Sequence, residues 1–144
     1  MKRKSSAIWQ GAGLDGKGTL TSTSGVLKST PYSFNARFVS EDGKSGTNPE
    51  ELIAAAHAGC FTMAFSFVLS GAGFVPTELN TEATVTVENV VDHFEIKSSH
   101  LEVVGIVPGI TEEKFIELAG IAKVNCPVSM ALKAIEITLT AKLK

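Results

Sequence analysis

Cys60 and Cys126 are the only cysteines of the chain and stand 66 positions apart. Thiols of this kind, in a chain with too few cysteines for a secreted disulfide scaffold, serve as buried packing, as metal ligands or as a redox pair. Their local surroundings differ. Pro127 follows Cys126 directly, and proline favours the first position of a helix. Cys126 is then a helix N-cap, where the positive end of the helix dipole makes a thiol more acidic. Cys60 is flanked by Ala56, Ala58, Gly59, Phe61 and Ala64. Burial among such groups makes a thiol less acidic and inert. A cation must be brought to Cys60 before it can react. Arg37, which is always charged, is the candidate. Local physics alone therefore predicts Cys126 as the more acidic thiol.

Other groups suggest competing chemistry. His57-Ala58-Gly59-Cys60 puts two metal donors on neighbouring helical positions. Cys126 with His93 or His100 would complete four ligands. The cysteines lack the close C-x-x-C spacing of zinc sites, so this alternative is the weaker one. Packing is the plain reading of both cysteines, and a partly buried polar group is the plain reading of His57. Likewise Arg37 has the reading of a solvated strand charge, and Glu50 that of a helix-start charge. The chain shows no G-x-x-x-x-G-K-[ST] phosphate-binding loop and no G-x-S-x-G.

The elements that must position these residues follow from patterning. Ser6 to Gln10 and Gly18 to Thr23 read as strands. So does Pro31 to Val39, with Tyr32, Phe34, Ala36 and Phe38 on one face and Arg37 on the other. Gly11-Ala12-Gly13, Asp15-Gly16 and Asp42-Gly43 mark turns. A long helix starts with Asn48 as N-cap, Pro49 next, and Glu50 and Glu51 in its first turn. From Leu52 to Leu69 it carries no Asp, Glu, Lys or Arg, so it should be buried all round. Gly71-Ala72-Gly73 ends it.

A hairpin follows, turning near Asp92. One strand carries Ala83, Val85 and Val87; the other carries Phe94, Ile96, Leu101 and Val103. The parity flip in that second strand predicts a bulge near Ser98-Ser99. A helix from about Thr111 buries Phe115, Leu118, Ala119 and Ala122, then breaks at Asn125-Cys126-Pro127 into a short helical turn. The last strand points Ile135, Ile137, Leu139, Ala141 and Leu143 inward. The order is βββ-α-ββ-α-β, an α+β fold in a single domain spanning 1–144, with a long central buried helix packed on antiparallel sheet. One chain of this size cannot readily surround so apolar a helix, so a homodimer is expected.

Composition narrows the partners. Thirteen Lys and Arg oppose fifteen Asp and Glu, a net charge of −2. That balance argues against nucleic acid. The basic start Met1-Lys2-Arg3-Lys4 leads into Ser5-Ser6-Ala7 rather than an apolar run, so no secretory signal is read and the cytoplasm is the expected location. The long helix approaches membrane-spanning length. His57, Thr62 and Ser66 within it, the absence of basic flanks and the alternating strands elsewhere argue against a membrane role.

Two stretches carry a family likeness. Thr47-Asn48-Pro49-Glu50-Glu51-Leu52-Ile53-Ala54-Ala55-Ala56-His57-Ala58-Gly59-Cys60-Phe61 closely resembles the peroxidatic-helix motif of the OsmC/Ohr family (osmotically inducible protein C and organic hydroperoxide resistance protein). Asn125-Cys126-Pro127-Val128-Ser129 resembles that family's second-cysteine motif. Gly16-Lys17-Gly18-Thr19, Ser24-Gly25-Val26-Leu27, Asn35-Ala36-Arg37-Phe38 and Val107-Pro108-Gly109-Ile110 extend the likeness over essentially the whole chain.

The resemblance implies an intertwined α+β homodimer with active sites at the subunit interface. It implies a cytoplasmic antioxidant enzyme of the stress response, without a cofactor, that reduces organic hydroperoxides and, less well, hydrogen peroxide. By similarity Cys60 is the peroxidatic nucleophile and Cys126 the resolving thiol, joined as a disulfide during turnover. Glu50 matches the glutamate that holds the active-site arginine. Arg37 matches the arginine of the OsmC branch; the Ohr branch takes its arginine from the early loop, where this chain has Lys17. The implied reductant is a dithiol, with lipoylated proteins the family's example.

Ten residues rise about 15 Å along a straight helix, so Glu50 and Arg37 are expected to serve Cys60 of the partner subunit. The competing functions are a peroxide sensor without turnover, the metal module, and a structural stress dimer with inert cysteines.

Overall fold

Three strands open the chain: β1 (Ser5–Gln10), β2 (Lys17–Ser22) and β3 (Thr30–Ser33). They pair antiparallel in that order, with Ile8 opposite Thr19 and Gly18 opposite Tyr32. Trp9 and Tyr32 stack across the sheet, their ring centres 5.3 Å apart. The computed structural model describes residues 1–40 and 44–144. The turn expected at Asp42-Gly43 lies outside the described residues.

The extended reading of Pro31 to Val39 needs correction. Only its start is strand; Phe34–Phe38 forms a short helix, α1. The physical reason is Ser33. Its hydroxyl accepts the Ala36 N–H at 3.0 Å, an N-cap that turns the backbone out of the sheet. Phe34 and Phe38 then meet at helical i,i+4 spacing, ring centres 5.0 Å apart. Arg37 thus sits on α1 and not on the polar face of a strand.

Gly46, at φ +144°, brings the chain back against β3: a Cβ there would lie 2.6 Å from the Pro31 carbonyl oxygen, which accepts the Thr47 N–H at 3.0 Å. Helix α2 (Pro49–Gly71) begins as predicted, with the Asn48 side chain accepting the Glu51 N–H at 2.8 Å.

The chain divides into two units, Met1–Leu52 and Ile53–Lys144. The second is built on β4 (Glu78–Val90), β5 (His93–Ile106) and β6 (Glu136–Leu143), with β5 central. The β4–β5 pairing is antiparallel. Its register shifts between Thr86 and Val87, which pair with Ser98 and Ile96 and leave Lys97 as the extra residue. That is the bulge the parity flip demanded, one position from Ser98. Beyond it Ser99, Leu101 and Val103 all face inward.

β6 pairs with β5 in parallel, Leu101 beside Leu139, so this sheet is mixed rather than wholly antiparallel. Helix α3 (Glu112–Asn125), capped by Thr111, forms part of the crossover and buries Phe115, Leu118, Ala119 and Ala122 as its pattern requires. Gly105 of β5 makes room for it: a Cβ there would lie 2.5 Å from the Phe115 ring. Phe115 in turn meets Phe65 of α2 edge-on at 5.0 Å.

α2 is buried along one stripe only, His57, Phe61, Phe65 and Leu69, each four residues on from the last. Met63 and Phe67 are 61% and 71% exposed. Within one chain the helix is therefore not covered on all sides, in keeping with the expectation that one chain of this size cannot surround it. By length and composition α2 is long and apolar enough to cross a membrane; its buried stripe is instead part of the second unit's core.

The β4–β5 turn carries a strained residue. Val91, a β-branched residue fully exposed at the tip, has φ +60°. Asparagine tolerates this region better. Val91→Asn is expected to stabilise the protein by about 1 kcal/mol, seen as a higher denaturant midpoint with unchanged slope.

Candidate active site

Arg37 and Glu50 form a built pair in the first unit. Arg37 Nε donates to Glu50 Oε2 at 3.0 Å and its terminal nitrogen Nη2 donates to Oε1 at 2.5 Å. This two-point geometry fixes the guanidinium plane as well as its position. The Glu50 side chain is 9% exposed and that of Arg37 33%. The Phe38 ring lies 4.6 Å below the guanidinium carbon. A recess of about 130 Å³ opens beside the pair, lined by Trp9, Tyr32, Phe34, Arg37 and Phe38. Its aromatic walls suit an apolar group lying next to one cation.

The two cysteines meet in the second unit. Cys60 is half-buried on α2; Cys126 is fully buried and caps α4 (Pro127–Ala131), with Pro127 at its first position as predicted. Both thiols are free and interact directly with one another. Burial pushes the Cys60 thiol up; the Val128 amide opposes this, and the neighbouring Cys126 adds to the rise. Burial also acts to raise Cys126. There it is outweighed by the amides of Ser129 and Val128, the Cys60 thiol and the Ser129 hydroxyl, which hold Cys126 below its ordinary range. The sulfur accepts no well-aligned capping hydrogen bond, so the amides act on it as nearby dipoles. Within one chain Cys126 is thus the more acidic thiol, as local physics predicted.

His57 lies one helical turn before Cys60 and is completely buried. Its Nδ1 is 2.7 Å from the Ser99 hydroxyl on β5, and its Nε2 is 2.8 Å from the Ser129 hydroxyl on α4. Burial lowers its pKa, so the ring is neutral. The metal alternative loses its donors here, because both His57 nitrogens are engaged. His93 contacts Asp92 and Glu95, and His100 bonds Thr138. Among the described residues no three His, Cys, Asp or Glu side chains gather as a metal site.

The aromatic residues of α2 divide. Phe61 and Phe65 are core; Met63 and Phe67 are exposed.

The sequence pattern of the family described as OsmC-like protein matches residues 41–140. Over 142 residues the chain is 49% identical to Peroxiredoxin OsmC of Escherichia coli (strain K12), covering 99% of this chain and 96% of that protein.

The chain belongs to the OsmC-like family.

A more distant relative is the organic hydroperoxide resistance protein OhrB of Bacillus subtilis (strain 168), 30% identical over 131 residues and covering 87% of this chain and 89% of that one. The crystal structure of Bacillus subtilis OhrB superposes with a TM-score of 0.71 at 26% identity, covering 98% of each chain. The α+β architecture is therefore that of the OsmC and Ohr proteins.

In this OsmC-like chain the structure brings Arg37 together with Glu50, and Cys60 together with Cys126. Sequence reasoning gave Ser99 and Ser129 no role of their own. Ser129 stands three residues after Cys126, the N3 position of a helix capped by that cysteine, which was the signal available. For Ser99 the signal was its place just beyond the bulge, where parity turns it inward.

A neutral buried histidine couples stability to pH. Unfolded, the ring takes a proton near 6.5, while folded His57 resists it. Between those two values the unfolded state binds more protons, so acid favours unfolding. The His57 contribution is complete above about pH 6.5 and is expected to fall by up to about 1.4 kcal/mol for each unit below it. Urea unfolding at about pH 7.5 and 5.5 should show a steeper acid loss for the unmodified protein than for His57→Gln.

Proposed function

We propose that this chain is a homodimeric, soluble, cytoplasmic thiol peroxidase that reduces organic hydroperoxides and, less efficiently, hydrogen peroxide. The observation that carries this reading is the pair of free thiols, Cys60 and Cys126, in direct contact in a chain nearly half identical to a peroxiredoxin along its whole length.

The reaction balances with two thiols and one peroxide. The Cys60 thiolate attacks the terminal peroxide oxygen. A sulfur–oxygen bond forms, the oxygen–oxygen bond breaks, and the alkoxide leaves and takes a proton to become the alcohol. Cys60 is then a sulfenic acid. The Cys126 sulfur attacks it, a sulfur–sulfur bond forms, and the hydroxyl leaves with a proton as water. A dithiol, with a lipoylated protein as the favoured type, returns both thiols by exchange.

Cys60 needs help to ionise, because its own surroundings push its proton affinity up. We assign that help to Arg37 of the partner subunit, locked in place by Glu50. The ten-residue spacing of Glu50 and Cys60, about 15 Å of helix, supports a contribution from a second chain. The exposed apolar side chains of Met63 and Phe67 on α2 support dimerisation. A guanidinium within a few ångströms lowers a neighbouring acid's pKa by about 1–3 units, which acts against the rise that burial imposes on Cys60. The aromatic recess beside Arg37 then receives the alkyl part of the peroxide.

Cys60→Ser is expected to abolish hydroperoxide consumption with a dithiol. Cys126→Ser should keep one rapid oxidation per chain, visible as a sulfenic-acid adduct by mass spectrometry, and lose recycling through a disulfide. Full turnover by Cys60→Ser would reverse the assignment of roles.

The subunit origin of Arg37 has its own test. Arg37→Ala and Cys60→Ser homodimers should each be inactive. Mixed dimers of the two should recover about half the activity of the unmodified dimer, since one complete site is restored of two. Inactive mixed dimers would place Arg37 and Cys60 of one chain together.

A further inference from the structure

The hydroxyls of Ser99 and Ser129 and the ring of His57 form a sealed string that ends at Cys126. Ser99 is fully buried, His57 likewise, and Ser129 is 6% exposed. The contacts between them are 2.7 and 2.8 Å. At the far end Ser129 is the third residue of the helix that Cys126 caps, and its hydroxyl helps to lower the proton affinity of that sulfur. Each hydroxyl has a single proton to donate, and a neutral imidazole has one donor and one acceptor nitrogen. The string can therefore run in either of two directions.

In one, Ser99 donates to Nδ1, Nε2–H donates to Ser129, and Ser129 donates to the sulfur. In the other every donor is reversed: the Cys126 S–H donates to Ser129, Ser129 to Nε2, and Nδ1–H to Ser99. Only the first gives a thiolate a hydroxyl proton to accept, and the second requires the thiol's own proton. No buried side-chain nitrogen or oxygen among the described residues is left without a partner.

We infer that His57 is a positioning residue for Cys126: by changing tautomer it turns the Ser129 hydroxyl toward the sulfur when the proton leaves and away when it returns. A packing role for His57 would need only its shape. The two hydroxyls placed on opposite ring nitrogens, one of them against a cysteine, are what packing does not explain. The titratable groups facing Cys126 are Cys60 of α2 and, through Ser129, His57 of the same helix. Lys123 of α3, three residues before Cys126, is engaged with the Ile137 carbonyl oxygen at 3.3 Å.

This inference rests on Cys126 being the resolving thiol. When Cys126 attacks the Cys60 sulfenic acid, its proton leaves with the hydroxyl as water. A hydroxyl that can donate to sulfur raises the fraction of thiolate ready for that attack. His57 touches neither the peroxide nor the reacting sulfurs in this scheme; it acts through Ser129.

The test uses the full-length protein carrying Cys60→Ser, so that Cys126 is its sole thiol, and follows iodoacetamide alkylation against pH. Ser129→Ala and His57→Leu are each expected to raise the alkylation midpoint by about one unit, a tenfold loss of thiolate at neutral pH. His57→Gln, whose amide can donate to Ser129 and accept from Ser99, should hold the midpoint near the parent value. Ser129→Ala removes a single oxygen and reads the string even where His57→Leu fails to fold.

An unmoved midpoint in Ser129→Ala overturns the inference. So does a shifted Ser129→Ala beside a folded His57→Leu that keeps the parent midpoint. The readout needs no turnover. Peroxide consumption by the protein with both cysteines, measured alongside, shows separately whether the peroxidase reading itself stands.

Discussion

Contact between two thiols from distant parts of the chain is the constraint on which the second unit turns. Cys60 comes from the middle of a 23-residue helix, and Cys126 from the break between two later helices. Neither local segment can bring them together. The core does so: Phe65 of α2 meets Phe115 of α3, and Gly105 is the gap in β5 that lets that ring in. His57 adds a polar tie from α2 to α4 and to β5. An apolar core fixes the distance between elements. Directional bonds from a buried ring fix their rotation, which burial alone does not.

The electrostatics show what the thiol pair lacks within its own unit. A thiol within hydrocarbon is stable and unreactive; an ionised one there needs a counter-charge. The second unit by itself favours ionisation at Cys126 and disfavours it at Cys60. Arg37 is held flat by Glu50 and backed by Phe38, so its charge is presented in a fixed direction with little side-chain freedom left to lose.

Much of this was legible in the residues, and the failures have identifiable physical causes. Asn48-Pro49, Thr111 and Cys126-Pro127 marked helix starts because capping is a local event governed by a few side chains. The face of α3 was readable because Phe115, Leu118, Ala119 and Ala122 repeat at helical spacing. The bulge showed itself through parity. The region after Ser33 was misread because Phe34, Ala36 and Phe38 also alternate; a serine cap decided against the strand, and periodicity carries no record of it. The parallel pairing of β6 depends on which elements meet across long separations, and no short window contains that. The polar string behind Cys126 was hidden for the same reason, since Ser99, His57 and Ser129 are neighbours only once the sheet and three helices have assembled.

The pairing of β6 beside β5 also bears on how the molecule reaches its folded state. The hairpin of β4 and β5 closes through a two-residue tip, a local event. The third strand must return through the whole α3–α4 crossover before it can dock, so its loop-closure entropy is met late. Until then one flank of β5 has unpaired backbone amides beside Leu101 and Val103, an open template for a second molecule. Crowded synthesis or slow refolding is thus the stage at which this protein is most exposed to aggregation, and the C-terminal strand is the element that removes the hazard.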